Sequence, residues 1–330
     1  MRYAKFLCLA GGVALFALLL ADTDLAAIAG EVIDLRWGIL AILATYMVAF
    51  ICDTVSWHLT LDPLPWTARL YYRVWKIRMV GEAFNDILPL GSFGGEPVKA
   101  MLAMRTLDLG PHAVTASLVL ARTINTLALV LFLVFGFVLV LQANALPPSV
   151  KWLSGAGLGL LLIGVAGLVA VQRLQLTSAV STRLFGCSLA ARLQRALGHI
   201  REVDGRLVRF YRHRQPQFFC AIVFSLLNWA LGAAEAYLTL TLLGQSITYF
   251  DAWIIESAAQ LVRAGAFFVP AAIGVQEGAY VFITGLLLGR PDAGLTMALL
   301  RRLRQILWIG WGLVIFVAMR SRAGSGNAPS

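Results

Sequence analysis

The chain has 330 residues, of which 59% are hydrophobic and only 13% are charged, and its mean hydropathy is +0.79. Soluble domains carry about 25% charged residues, so this composition excludes an ordinary soluble protein and predicts a multi-pass membrane protein. The formal net charge of +10 lies largely in short segments between apolar runs, which the positive-inside rule explains better than nucleic-acid binding does. No nucleic-acid partner is therefore expected.

Six apolar runs reach or approach the length that a helix needs to cross a bilayer. The first run follows Arg2 and Lys5 and has no small-residue cleavage site, so we expect an uncleaved span rather than a signal peptide. The predicted spans are 6–21, Trp37–Trp57, Ala113–Leu141, Trp152–Val171, Phe218–Leu243 and Leu295–Met319. This pattern predicts an all-α polytopic fold with one transmembrane domain over residues 1–320.

The charges of the connecting segments predict the orientation of the chain. The acidic connection Asp22–Asp34 should lie outside, whereas Arg173–Arg214, with nine arginines and two acidic residues, should lie in the cytoplasm. Apolar residues recur there every three or four positions, which predicts a basic amphipathic helix over residues 183–214 on the inner membrane surface. Both termini are then cytoplasmic, and residues 321–330 are expected to form a disordered tail.

Two polar hairpins interrupt the spans. The first, Gly81–Arg105, reads GEAFNDILPLGSFGGEPVKAMLAMR and contains Pro89 and Pro97 as expected helix breakers. Irregular backbone at membrane depth is tolerated only where protein buries it or water reaches it. A broken helix or re-entrant loop that lines a cavity is therefore predicted, and an ordinary cytoplasmic loop is the alternative. The second hairpin surrounds Pro270 between two apolar segments, Ala252–Val269 and Ala271–Leu288.

The two hairpins share their spacing. Pro89 precedes Glu96 by seven residues, as Pro270 precedes Glu277, and a Leu-Gly pair stands twelve residues before Arg122 and before Arg301. Residues 66–141 and 244–319 are accordingly predicted to form an inverted repeat of the kind found in many secondary transporters. Chance similarity between Gly-, Leu- and Ala-rich membrane segments is the alternative.

Ionisable side chains within the apolar regions are the candidate site residues, because such groups are costly there and usually face a cavity or a partner. The wider set is Glu96, Lys99, Arg122, Glu235, Glu256, Arg263, Glu277, Arg301, Arg302 and Arg304. The residues predicted to bind and translocate a lipid are Asn85, Glu96, Lys99, Arg122, Glu277, Arg301 and Arg304.

The expected roles follow from side-chain chemistry. Arginine binds phosphate bidentately, glutamates can balance that charge, and the helix N-termini after Gly95 and Gly274 are candidates to add N–H donors. The alternative is a pair of static salt bridges, Glu96–Arg122 and Glu277–Arg301, that only close the fold. Two further polar residues, Asp53 and Asn228, are expected to be structural.

Sequence motifs for catalysis are missing from the chain. Its four histidines are far apart, its four cysteines include no CxxC pair, and no GxSxG, Walker or Rossmann pattern stands in a suitable context. We therefore expect no metal, no cofactor and no enzyme activity. A lipid-modifying enzyme that uses Glu and Arg, and an accessory subunit of lipid biosynthesis that does not transport, are the alternatives.

The NDILP…GGEPVKA…R element, the later VPAAIGVQEGAY hairpin and the basic middle loop resemble the transmembrane, flippase-like region of lysylphosphatidylglycerol synthases and its stand-alone relatives. The resemblance covers about residues 5 to 320 and implies a transporter of an amphiphilic lipid in the bacterial inner membrane. Some stand-alone members accompany hopanoid biosynthesis, and this chain is a candidate for that subgroup. The synthases carry a soluble aminoacyltransferase domain after the membrane part, whereas this chain stops at Ser330, so lysine transfer is not expected.

The partner implied by the resemblance is a membrane lipid, expected to have an anionic head group. Self-association and contacts with enzymes of lipid biosynthesis are left open as further partners.

Overall fold

The computed structural model describes residues 30, 35–61, 64–87, 94–173, 205, 214–266, 269 and 272–325. The described elements are nine α-helices: α1 Gly38–Thr60, α2 Ala68–Ile87, α3 Glu96–Thr106, α4 Pro111–Gln142, α5 Pro148–Arg173, α6 Gln215–Leu242, α7 Tyr249–Gly265, α8 Val275–Leu288 and α9 Pro291–Ser325. The predicted all-α polytopic fold is confirmed.

Five of these helices, α1, α4, α5, α6 and α9, are long and apolar enough to cross a membrane. They coincide with five of the six predicted spans. The predicted first span, 6–21, and nearly all of the predicted amphipathic helix, 183–214, lie outside the described residues. The last helix is described to Ser325, and the disorder predicted for 321–330 stays a prediction.

Prolines and glycines set several helix boundaries. Pro111 and Pro291 open α4 and α9, where the first turn needs no N–H donor from the ring nitrogen. Gly289 ends α8 in the left-handed conformation, with φ of +68°, which glycine adopts without steric cost. Pro97, expected to break a helix, instead lies in the first turn of α3.

The first polar hairpin is formed by α2 and α3, and the second by α7 and α8. Gly81, where the sequence analysis placed the start of the first hairpin, lies inside the continuous helix α2. The missing side chain makes room for a neighbour, because a Cβ on Gly81 would stand 2.2 Å from Cγ of Lys99 in α3. Both hairpin tips are only partly described.

Helices of each half pack against helices of the other half. The first helix of the first hairpin, α2, packs on α9, the last span of the second half, and α7 correspondingly packs on α4, while α1 packs along α6. Small residues allow two of these crossings: a Cβ on Gly312 would stand 2.7 Å from Cβ of Ala83, and one on Gly136 would stand 2.3 Å from Oγ of Ser257. Such reciprocal packing is the arrangement that a repeat with two-fold pseudosymmetry predicts.

Gly95→Ala is expected to destabilise the first hairpin by about 1–3 kcal/mol, because the new Cβ would overpack a closed contact. Its position is 1.9 Å from the carbonyl oxygen of Gly81, and two backbones cannot move apart by changing a rotamer. Thermal unfolding in detergent measures the effect. The matched control is Gly159→Ala in α5, whose Cβ would meet no atom within 4 Å. Equal melting temperatures for the two variants would contradict the close contact.

Candidate functional site

A cavity of about 570 Å³ lies between the two halves. Each of the nine described helices contributes at least one lining residue. Among the described residues, its walls hold seven acidic and seven basic side chains. The acidic residues are Asp53, Glu82, Asp86, Glu96, Glu235, Glu256 and Glu277, and the basic residues are Arg78, Lys99, Arg122, Arg263, Arg301, Arg302 and Arg304. The lining is therefore rich in charge but formally neutral.

Every residue predicted to bind lipid contributes to this cavity. Asn85 comes from the end of α2, Glu96 and Lys99 from α3, and Arg122 from the fourth turn of α4. Glu277 lies in the first turn of α8, and Arg301 and Arg304 lie on α9. The structure thus brings together side chains that are more than 200 residues apart in the sequence. Their role in lipid binding stays a prediction.

The side of the cavity formed by the first half contains two ion pairs. Lys99 Nζ lies 2.6 Å from Glu96 Oε1, and Arg78 pairs with Asp53, which joins α2 to α1. The tip of this hairpin is fixed by Asn85, whose Oδ1 accepts a 2.7 Å hydrogen bond from the N–H of Gly95. Asn85 therefore positions the hairpin, and the N–H of Gly95 already has an acceptor within the protein.

Arg301 is the centre of the second side. Its Nη1 lies 2.8 Å from Glu256 Oε2 and donates to the hydroxyl of Tyr280 at 2.6 Å, and its Nη2 donates to the carbonyl oxygen of Gly232 at 2.9 Å. Tyr280 in turn donates to Glu256 at 3.1 Å. These bonds connect α6, α7, α8 and α9, and only 12% of the Arg301 side chain is exposed. Such a network stabilises a buried charge by satisfying its hydrogen bonds.

Arg304 connects the second side of the cavity to the first. Its Nη1 lies 3.1 Å from Glu235 Oε2, and its guanidinium carbon lies 3.4 Å from the ring centroid of Tyr46 in α1. Glu235 is 2% exposed, and its Oε1 has no hydrogen-bond partner among the described residues. A buried carboxylate oxygen without a donor is costly, so this position is a natural place for a polar group from a ligand.

The static salt bridge between Glu277 and Arg301, which the sequence analysis gave as the alternative, does not form among the described residues. Glu277 instead pairs with Arg302, and its Oε2 also accepts a 2.8 Å hydrogen bond from the N–H of Gly274. Consecutive residues on a helix point about 100° apart, so Arg301 faces α6 and α7 while Arg302 faces the start of α8. On the other side of the cavity, Glu96 forms an ion pair with Lys99.

The N-termini of α3 and α8 are less available than the sequence analysis expected. The N–H groups of Gly95 and Gly274 are bonded by the side chains of Asn85 and Glu277. The positive end of the helix dipole at α8 stabilises a carboxylate of the protein itself.

Sequence reasoning missed several lining residues. Arg78 and Glu82 in α2 were missed, and with the predicted Asn85 they follow the spacing i, i+4, i+7. Gln260 in α7 was also missed, and it follows the same spacing with the candidates Glu256 and Arg263. This period places each set on one face of its helix, and it was visible in the sequence. Asp53 and Asn228, expected to be structural, also line the cavity.

A family model described as the lysylphosphatidylglycerol synthase TM region matches residues 5–312 of the chain. The match includes every residue that lines the cavity. No curated protein and no solved structure matches the chain.

Proposed function

The chain belongs to the family of the lysylphosphatidylglycerol synthase transmembrane region, and we propose that it is a flippase-like transporter that binds an amphiphilic lipid and moves its head group across the membrane. The family connects this multi-pass membrane protein with lipid synthesis or flipping. Transport itself, the anionic head group and the hopanoid subgroup are parts of the proposal.

The observation that carries the proposal is the charged cavity between the two halves. An unpaired charge costs many kcal/mol in hydrocarbon, so a head group crosses only where a polar path replaces water. The cavity offers arginine side chains from both halves, Arg122 on one side and Arg301, Arg302 and Arg304 on the other. The described lining residues include equal numbers of acidic and basic groups, and an incoming phosphate would compete with the carboxylates for the arginines.

Movement of one half against the other would open the cavity to each side of the membrane in turn. The contacts that must shift are the reciprocal crossings, α2 on α9 and α7 on α4, together with the approach of Arg304 to Tyr46. Small residues at the crossings would let these helices stay in close contact as they move.

Incubation of purified protein with radiolabelled phosphatidylglycerol tests the proposal against the enzyme alternative. We expect the lipid to be retained by the protein in native mass spectrometry and recovered unchanged. A new lipid product would support the lipid-modifying enzyme instead. The accessory-subunit alternative expects charge-neutralising variants at Glu96 and Arg122 to keep their cellular role.

We propose further that the protein lies in the inner membrane with both termini in the cytoplasm. Reporter fusions after Asn144, Arg195 and Arg320 measure this orientation. The basic loop 173–214 predicts a cytoplasmic signal at Arg195 and Arg320 and an external signal at Asn144. An external signal at Arg195 would overturn the orientation.

A further inference from the structure

A second opening of the molecule lies between α1 and α9. It is a groove of about 430 Å³, lined by Leu43, Ala44 and Met47 of α1 and by Leu307, Trp308 and Trp311 of α9. Spacings of three and four residues place each set on one face of its helix. All six side chains are predominantly apolar, so the groove matches hydrocarbon.

Trp308 separates the groove from the charged cavity, because it lines both. Its ring packs edge-on against Tyr46 with centroids 4.9 Å apart, and Tyr46 in turn lies under the guanidinium of Arg304. Only 7% of Trp308 is exposed, and its indole N–H has no acceptor among the described residues. One aromatic wall therefore divides an apolar space from a polar one.

The corresponding position in the other half is closed. If the two halves are matched, α1 and α9 correspond to α6 and α4. Those two helices pack closely, with Leu120 and Ile124 of α4 against Ala221 of α6, and Phe132 against Ala233. The backbones of α1 and α9, in contrast, have almost no close approach within the described part of the chain. Among the described residues, the groove therefore has no counterpart in the other half.

We infer that the groove holds a hydrocarbon chain of the lipid whose head group lies in the cavity, and that Trp308 is the wall past which the head group enters. This inference rests on the proposed function. Lipid tails are as apolar as the side chains that line the groove, so a tail there gains little energy but stays out of the polar cavity. The unpaired indole N–H of Trp308 lies at the boundary, where a lipid carries its ester and phosphate acceptors.

Photocrosslinking tests the site without requiring transport. The probe is phosphatidylglycerol with a diazirine in one acyl chain, added to the full-length protein in nanodiscs. We expect stronger crosslinking to the groove residues than to Leu160 and Ile163, two exposed residues of α5. In Arg122→Ala, crosslinking to the groove should fall to the level of α5. Groove labelling equal to that of α5, and unchanged by Arg122→Ala, would show surrounding lipid only and would overturn the inference.

Ala44→Trp tests the path. The larger side chain should fill the groove and slow translocation of labelled phosphatidylglycerol in vesicles by at least about tenfold. Val48→Trp is the matched control, because Val48 is an exposed residue of α1 that does not line the groove. Equal rates for both variants, or a change of oligomeric state with Ala44→Trp that assigns the groove to a second copy, would overturn the inference. Specific groove labelling in a protein that moves no lipid would keep this site and reject the transport function.

Discussion

Arg301→Ala should destabilise the folded protein by about 3–5 kcal/mol, which is the cost of removing one partner from a buried ion pair. The change would leave Glu256, which is 2% exposed, without its nearest cation and would remove bonds that join α9 to α6 and α8. Thermal unfolding in detergent should show a melting temperature lower by roughly 5–15 °C.

Two further variants make this result specific. Arg290→Ala removes a partner from an ion pair with Asp292 that is 49% exposed, and it should change the melting temperature by about 2 °C or less, since exposed pairs contribute little. Arg301→Ala combined with Glu256→Gln removes the stranded charge as well and should recover part of the loss. Unchanged melting of Arg301→Ala would show that the network does not stabilise the fold.

Arg122→Ala should act on transport rather than on stability. Arg122 lines the cavity from α4 and is exposed, and truncation of an exposed side chain usually changes stability little. A charge-assisted hydrogen bond contributes about 1.5–3 kcal/mol, so we expect translocation of labelled phosphatidylglycerol to slow roughly 10- to 100-fold. Arg122→Lys should be intermediate, because lysine keeps the charge but loses the bidentate geometry.

The control for Arg122 is Arg105→Ala, which removes the same charge from an exposed residue outside the cavity lining. It should translocate lipid at the wild-type rate. A variant at Arg122 that does not fold would favour the interpretation of the charged residues as static salt bridges.

The different effects expected at Arg301 and Arg122 show what the sequence could and could not predict. Long apolar runs predicted the positions of α4 and α9, because hydropathy is a local property of the sequence. The charged residues within those runs predicted a polar interior, because ionisable groups in a membrane rarely face lipid.

The partners of these charges could not be predicted, because they depend on how each helix is rotated about its axis. The alternative left open by the sequence joined Glu277 to Arg301, whereas the structure pairs Glu277 with Arg302, one residue and about 100° away. Arg78 was not among the candidate site residues, yet it pairs with Asp53 in the cavity wall. Its period with Glu82 was the signal that would have placed it there.

The initial rate at which reconstituted protein moves fluorescent phosphatidylglycerol between the leaflets of vesicles tests the proposed function most directly. We predict that wild-type protein moves the lipid well above the rate of protein-free vesicles. We also predict that Arg122→Ala and Glu277→Gln, which alter opposite sides of one cavity, both lower the rate while remaining monodisperse. Wild-type rates in both folded variants, or a wild-type rate equal to that of protein-free vesicles, would contradict the assignment of this cavity as the path of a lipid head group.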